Sequence, residues 1–397
     1  MAADPHNVVR LILPRPVAGR PGEEYHDAAV SLRQWQDDGI LTADPEPALY
    51  VYEQATVIEP GQHGAGGMIQ RGLIGAVRLA PPDAGIVLPH EDVSPGPVAG
   101  RLALMEATQA NLEPIFLLYD GGAPDPPGPA ERIMAAATAR EPLIDASTAD
   151  GLRHRLWAIT DAADLAATAA DLAPRQALIA DGHHRYAAYL QLRQRRQEAR
   201  SGPGPWDYGL ALLVDSARYP PQIGAIHRVI PCMDVQDAAK LADGAFRVAP
   251  LPAGTAGLAE AVRALAEASV SGPAFVLAGG EHAYLLTDPD PGQAEAAMPD
   301  GRSAPWRALP ASILQELLIT RLWGLIDDDS AIRVVHHDAE AALRAAQAAS
   351  GTAVLCSPMS PAEVYAVAAR GEKVPRKSTS FAPKPRTGLV LRTFAQS

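Results

Sequence analysis

The segment Ala177-Leu178-Ile179-Ala180-Asp181-Gly182-His183-His184-Arg185-Tyr186 constrains the fold more than any other part of the chain. An apolar run and a glycine precede the helix-favouring stretch YAAYLQLRQRRQEAR, which puts Tyr186, Tyr189 and Leu190 on one face. The pattern reads as strand, tight turn and helix. The first turn of a helix carries N–H groups without intrahelical acceptors and roughly half a positive charge, so it attracts anions, phosphate above all. Gly182 lets backbone approach a ligand, and Arg185 can grip phosphate oxygens in a bidentate fork. The imidazoles of His183 and His184 can donate hydrogen bonds or move protons near neutral pH, and Asp181 can hold a metal or accept a hydroxyl proton. The plainer reading makes Asp181 a helix cap and the histidines ordinary turn residues.

Composition narrows what such a turn can serve. With 397 residues, 47% of them hydrophobic, the chain has material for two or three domains with real cores. A net charge of −12 argues against broad nucleic-acid or anionic-membrane binding, which needs a basic face. Cys232 and Cys356 are far apart and form no CxxC, so neither a disulfide framework nor a structural zinc site is supported, and a reducing cytosol fits. The start MAADPHNVVRLILPRP lacks a signal pattern, and no uninterrupted apolar stretch of about 18 residues occurs, so a cytoplasmic protein without a membrane partner is expected.

Along the chain, 8–13 reads as a strand, 23–39 as an amphipathic helix, and 48–54 and 73–79 as strands around the Gly-rich GQHGAGG. The loop PHEDVSPGPVAG (89–100) leads into a helix at 101–112 and a strand at 115–119. His90, Glu91 and Asp92 therefore lie just before a helix that begins with Arg101, either as site residues or as a solvated cap. A helix at 130–140, a strand at 155–160 and an alanine-rich helix at 161–173 bring the chain to the central turn. Beyond it, 209–215 reads as a buried strand, and AIHRVI (225–230) sets His227 and Arg228 in a strand pattern, where alternation turns one of them away from the core. Residues 236–350 alternate helix and strand, including the apolar helix 311–324. His336-His337-Asp338 lacks further residues at metal-ligand spacing. The end of the chain, KVPRKSTSFAPKPRTGLVLRTF, crowds Lys373, Arg376, Lys377, Lys384 and Arg386 around Ser378 and Thr379 in an otherwise acidic protein. That is what a small anionic substrate needs, or a basic tail lying on an acidic surface.

The phrases ALYVYEQ, RGLIGAVRL, LPHEDV, RLALMEATQANLEPIFLLYD, ADGHHRYAAYL, IHRVI and PRKSTSFAPKPRTGLVL together resemble the domain of unknown function 1015 family over nearly the whole chain. Members usually begin with a segment carrying a Pro-Pro-Tyr-Asp phrase, after which this chain starts, and carry tyrosines where Ser380 and Ala382 stand here. More distantly, DGHHR resembles the signature loop of the ParB-like nucleotide-binding fold, which includes sulfiredoxins and free serine kinases. The fold implied is α+β: mixed sheets with flanking helices, a ParB-like phosphate-binding core, and an additional α+β lobe. The expected division is 1–235 with the DGHHR loop, 236–350 as the lobe, and 351–397 as a segment returning the KST and PK loop to the site.

The function expected is phosphoryl transfer from a pyrophosphate or nucleotide donor to a small hydroxyl-bearing metabolite such as free L-serine. Asp181, His183, His184 and Arg185 are the candidate catalytic residues. Gly182, His90, Glu91, Arg101, His227, Arg228, Lys377, Ser378, Thr379 and Lys384 are the candidate substrate- and phosphate-binding residues, with Asp181 and Glu91 for Mg²⁺. Phosphoryl transfer is mostly positioning and charge stabilisation, so a cationic cradle suffices without a protein nucleophile. A nucleotide-binding switch without catalysis, or a phosphate-ester hydrolase, would use the same cradle. P-loop, dinucleotide-binding and G-x-S-x-G patterns are missing. A cysteine-dependent sulfiredoxin reaction has no thiolate at the central loop.

Overall fold

The computed structural model describes residues 4–16, 18–57, 67–122, 125–326, 328 and 331–394. Most of GQHGAGG lies outside them. The chain folds as two compact units, Met1–Pro221 with Pro383–Ser397, and Gln222–Ala382. They part at 221/222 and 382/383, where the sequence suggested 235/236 and 350/351.

The first unit begins with α1 (Val9–Ile12) and α2 (Glu23–Asp37), followed by β1 (Leu49–Thr56), β2 (Ile69–Arg78) and β3 (Val87–Leu88). The expected strand at 8–13 is a helical turn instead. The Asn7 side chain accepts from the Val9 N–H at 3.0 Å, and Leu11 and Ile12 pack among Ala28, Leu32 and Trp35 of α2. Next come α3 (Pro95–Thr108), β4 (Ala110–Asn111), β5 (Ile115–Tyr119), α4 (Pro129–Thr138), β6 (Ile144–Ser147), β7 (Leu152–Ile159) and α5 (Ala162–Leu172). The helix expected from 101 starts earlier because proline is well placed in a first turn, where its missing N–H costs nothing. It ends at Gln109, whose φ of 50° turns the chain into β4. The unit continues with β8 (Ala177–Asp181), α6 (His183–Glu198) and β9 (Tyr208–Asp215).

Eight strands form one mixed sheet in the order β3-β8-β5-β9-β2-β1-β7-β6. The pairs β3–β8 and β5–β9 are parallel, and the others antiparallel. Central β5 is buried throughout, as its unbroken IFLLY demands, and α3 and α6 pack together over a core that includes Val98, Leu102, Ile115, Leu117, Ile179, Tyr186 and Tyr189.

The second unit contains β10 (Gln222–Ile223), β11 (Ile226–Ile230), α7 (Val235–Ala242), β12 (Arg247–Leu251), α8 (Gly254–Ala268), β13 (Phe275–Gly279), β14 (His282–Thr287), α9 (Pro291–Ala297), α10 (Ala304–Ala308) and α11 (Pro310–Ser312). A π-helical segment, Ile313–Leu322, stands where the sequence suggested an ordinary helix. Then follow β15 (Arg333–His336), α12 (Ala339–Ala348), β16 (Thr352–Cys356), α13 (Pro361–Ala368) and β17 (Phe381–Ala382). Its six-stranded sheet has the order β12-β14-β13-β16-β11-β15. One face, carrying Val229, Val276 and Leu355, packs on α8 and α12. At the unit's base β10 pairs with β17, Gln222 opposite Ala382 and Ile223 opposite Phe381. The chain then returns to the first unit, where β18 (Arg392–Thr393) pairs with β4. A mixed sheet in the first unit and a wholly antiparallel one in the second, each flanked by helices, make the protein α+β. Among the described residues no helix is long and apolar enough to cross a membrane.

Candidate functional site

The turn between β8 and α6 is built as its residue order dictates. Gly182 has φ 101°, a left-handed conformation that L side chains rarely adopt. A Cβ there would meet Ile115 Cγ2 at 2.9 Å and the Arg185 guanidinium carbon at 3.2 Å. Glycine therefore lets Arg185 lie back across the turn. α6 runs for 16 residues, no side chain caps it at Gly182, and its first intrahelical bond runs from Tyr186 N–H to Gly182 O at 2.8 Å. Opposite Asp181 the β5–β8 register shifts between Phe116 and Leu117, an irregularity that re-aims the strand end.

Asp181 lies between two cations. Arg185 Nη2 donates to its Oδ2, and Lys384 Nζ donates to its Oδ1 at 2.6 Å. The C-terminal return thus brings a lysine 203 positions away to the central turn. Arg185 also gives Nη1 to Pro114 O at 2.6 Å and lies 3.5 Å from Glu113, whose other oxygen is 3.3 Å from Arg101. Arg101 further donates to Ile12 O at 2.7 Å. Arg185, expected as an open phosphate fork, is instead a brace that ties β8, α6 and the 113–114 turn together, and its side chain is mostly buried. Arg101 likewise braces α3 against α1. Ile12, Leu112 and Met105 line an apolar cleft beside Arg101, Glu113 and Arg185.

The histidines meet the loop before α3. His183 and His184 use Nε2 to accept N–H bonds from His90, at 3.3 Å, and from Ser94, at 3.1 Å. An Nε2 that accepts leaves the ring's proton on Nδ1. His183 Nδ1 points toward Glu91 Oε2 at 3.8 Å, and Glu91 Oε1 lies 3.9 Å from His90 Nε2. His90 is fully buried, edge-on to His183 with ring centres 4.5 Å apart. Burial pushes its pKa down to about 4.

Among the described residues no ready-made metal cage stands here. Both oxygens of Asp181 already accept from cations, and among the described residues no group of three or more His, Cys, Asp or Glu could hold a metal ion. Asp181, expected as a metal ligand, is ion-paired with Arg185 and Lys384, and Glu91 faces imidazoles.

The structure brings Asp181, Gly182, His183, His184, Arg185, His90, Glu91 and Lys384 around one helix N-terminus, with Arg101 behind it through Glu113. His227, Arg228, Lys377, Ser378 and Thr379 belong to the second unit. Strand alternation puts His227 and Arg228 on opposite faces of β11, but neither is turned out of the core, since both are buried. His227 Nδ1 accepts from Cys356 N–H at 3.2 Å, and burial pushes the ring's pKa down to about 4. Ser378 donates to Pro375 O, and Thr379 is buried.

Sequence reasoning passed over Glu113 and Pro114, which hold Arg185, and Ser94, which holds His184. Their one signal was position, in the loop before α3 and in the turn between β4 and β5. It also passed over the polar network that anchors the return segment. Tyr52 OH and His154 Nδ1 are 2.9 Å apart, Arg386 N–H donates to Tyr52 OH at 3.2 Å, and the Arg386 guanidinium binds Thr148 and Asp150. This network fixes Arg386 two residues from Lys384.

The fold and this turn define an α+β protein with an uncapped helix N-terminus framed by histidines and a lysine. The chain belongs to the DUF1015 family, described as a protein of unknown function, whose model matches residues 1–312. No curated protein matches it. Among solved structures it is similar to a mutant free serine kinase in complex with ADP, with 12% identity, TM-score 0.39, 81% of this chain and 92% of that chain covered. It is also similar to a conserved hypothetical protein from Pyrococcus furiosus, with 12% identity, TM-score 0.36, and 78% and 90% covered. A third is SbnI with a C-terminal truncation from Staphylococcus aureus, with 13% identity, TM-score 0.37, and 79% and 84% covered.

Proposed function

We propose that the α6 N-terminus binds a phosphoryl oxyanion and that the protein transfers phosphate from pyrophosphate or a nucleotide to a small hydroxyl-bearing metabolite, free L-serine being the acceptor to test first. The observation that carries this is the uncapped N-terminus of a 16-residue helix at Gly182, with Lys384 held beside it by Asp181. Backbone N–H groups and the helix dipole receive the phosphate there. Lys384, 60% exposed at its side chain, swings from Asp181 to the anion and stabilises charge on the transferring group. Once released, Asp181 accepts the acceptor's hydroxyl proton. His183, held through Nε2 by the His90 N–H, turns its Nδ1 toward Glu91 and orders the loop beside the turn.

One observation favours a second reading. A carboxylate that two cations already hold makes a poor base, and that suits a nucleotide-binding switch whose ligand displaces Lys384 and changes conformation without chemistry. Asp181→Asn separates the two. A phosphotransferase loses turnover while still binding its donor, measured by product formation with L-serine beside donor titration. A switch shows no turnover in the parent chain and keeps its ligand response. No donor binding in either chain rejects both.

A further inference from the structure

In the second unit β11 turns Arg228 away from the α8 and α12 face that receives Val229, toward the π-helical segment. There it lines a narrow cleft, about 20 Å³ in volume, with Leu314, Cys356, Ser357, Lys377 and Ser378. Arg228 is 3% exposed. Its Nη2 donates to Arg376 O at 3.0 Å and its Nη1 to Ile226 O at 3.3 Å, while its buried Nε has no acceptor among the described residues. No carboxylate lines the cleft, and no ion pair of Arg228 or Lys377 occurs among the described residues.

A guanidinium stays protonated wherever it is placed, so a buried one needs a counter-charge as well as acceptors. Two carbonyl oxygens supply part of the second requirement and none of the first. A carboxylate from the chain would have closed the account in an ordinary structural ion pair. Instead Lys377, exposed and held at φ 53°, adds a second positive charge to the same cleft, while Ser378 gives its hydroxyl proton to Pro375 O and Ser357 shares a hydrogen bond with Ser269 at 2.6 Å. Two cations without an acid form a receptor for an oxyanion. The rest of the lining, Leu314 with Ile226, Phe275 and Met359, is apolar, and the narrow space admits the charged group while the body of the acid stays at the mouth.

We propose that this cleft is an anion-binding site of the second unit, taking the phosphate or carboxylate of a small organic acid, with Arg228 at its floor and Lys377 at its mouth. All its residues lie within Gln222–Ala382, so it is independent of the reading given to the α6 N-terminus.

Isothermal titration of the full chain with inorganic phosphate, phenyl phosphate, benzoate and phenol tests it. Either the phosphates or benzoate bind and phenol does not, the preferred acid showing whether the cleft is made for phosphate or carboxylate. Lys384→Glu, which would spoil an anion site at α6, leaves this binding within about twofold, whereas Lys377→Glu weakens it at least tenfold. Arg228→Met abolishes it and leaves the free protein as heat-stable as the parent, because an uncompensated buried charge has been removed. Binding that vanishes in Lys384→Glu and survives in Lys377→Glu overturns this proposal while sparing the α6 reading. Absence of binding to the parent chain also overturns it, as does an Arg228→Met chain that folds and binds like the parent or that melts lower with no anion-dependent shift in the parent.

Discussion

At Gly182 the backbone conformation and the space around it act together. A side chain there would pay for φ 101° and push Arg185 off Asp181 and Pro114. Gly182→Ala is therefore expected to destabilise the chain by about 1–3 kcal/mol, read as a lower denaturant midpoint at unchanged m-value. The buried imidazoles predict a pH dependence. His90 and His227 bind protons at about 4 in the folded chain and near 6.5 when unfolded, so between those values the unfolded state holds more protons. Stability falls as pH drops from about 6.5 toward 4, each histidine adding a slope of up to about 1.4 kcal/mol per pH unit. Replacing His90 by Gln should flatten that fall in urea titrations between pH 4 and 7, and an unchanged slope would show that His90 is protonated in the native state. Much of this was legible in the chain, since D-G-H-H-R after an apolar run announces a strand-turn-helix with polar groups at its start. The role of Arg185 was not, because a guanidinium that could grip phosphate also satisfies Asp181, Glu113 and a carbonyl, and only their positions decide which it does.

At the scale of elements, the return segment matters out of proportion to its length. It supplies Lys384 to Asp181, Arg386 to the Tyr52 and His154 network, β18 to β4 and Phe394 to the core. Arg392 adds hydrogen bonds to Asn111, Tyr208 O and Pro205 O. Deletion after Ala382 is expected to lower the first thermal transition by 10 °C or more, since losing even about 2 kcal/mol shifts a domain of this size by several degrees. A change below 2 °C would mean that the segment lies loosely on the first unit. The positive charges of this stretch were visible in the sequence, but their division was not. Lys377 and Lys384 are seven positions apart, yet they fall in different units because the crossing at 382/383 lies between them. The turn at residues 8–13 misled for a local reason, since VVRLIL is strand-like until Asn7 accepts the N–H of Val9.

At the scale of the molecule, the second unit is an insertion between Pro221 and Pro383 of the first. Its two ends pair as β10 and β17, which brings entry and exit together and lets the insertion leave the host sheet continuous. A contiguous segment with its own six-stranded sheet and core is expected to fold alone. Residues 222–382 expressed by themselves should show α+β circular dichroism and a cooperative melt, and an unfolded fragment would show that the host is required. Alternating helix and strand made the second sheet foreseeable. A return of the C-terminal stretch was expected from its basic loop, but the crossings at 221/222 and 382/383 were not legible, because composition does not shift at either.

The central claim is that phosphate binds at the start of α6, and backbone amide NMR during a pyrophosphate titration tests it most directly. The account predicts saturable shifts concentrated at residues 182–186, reduced at least tenfold in affinity by Lys384→Glu, together with stabilisation of about 2.7 kcal/mol at 100 times the dissociation constant. Amides at 182–186 that stay unmoved at millimolar pyrophosphate would contradict it.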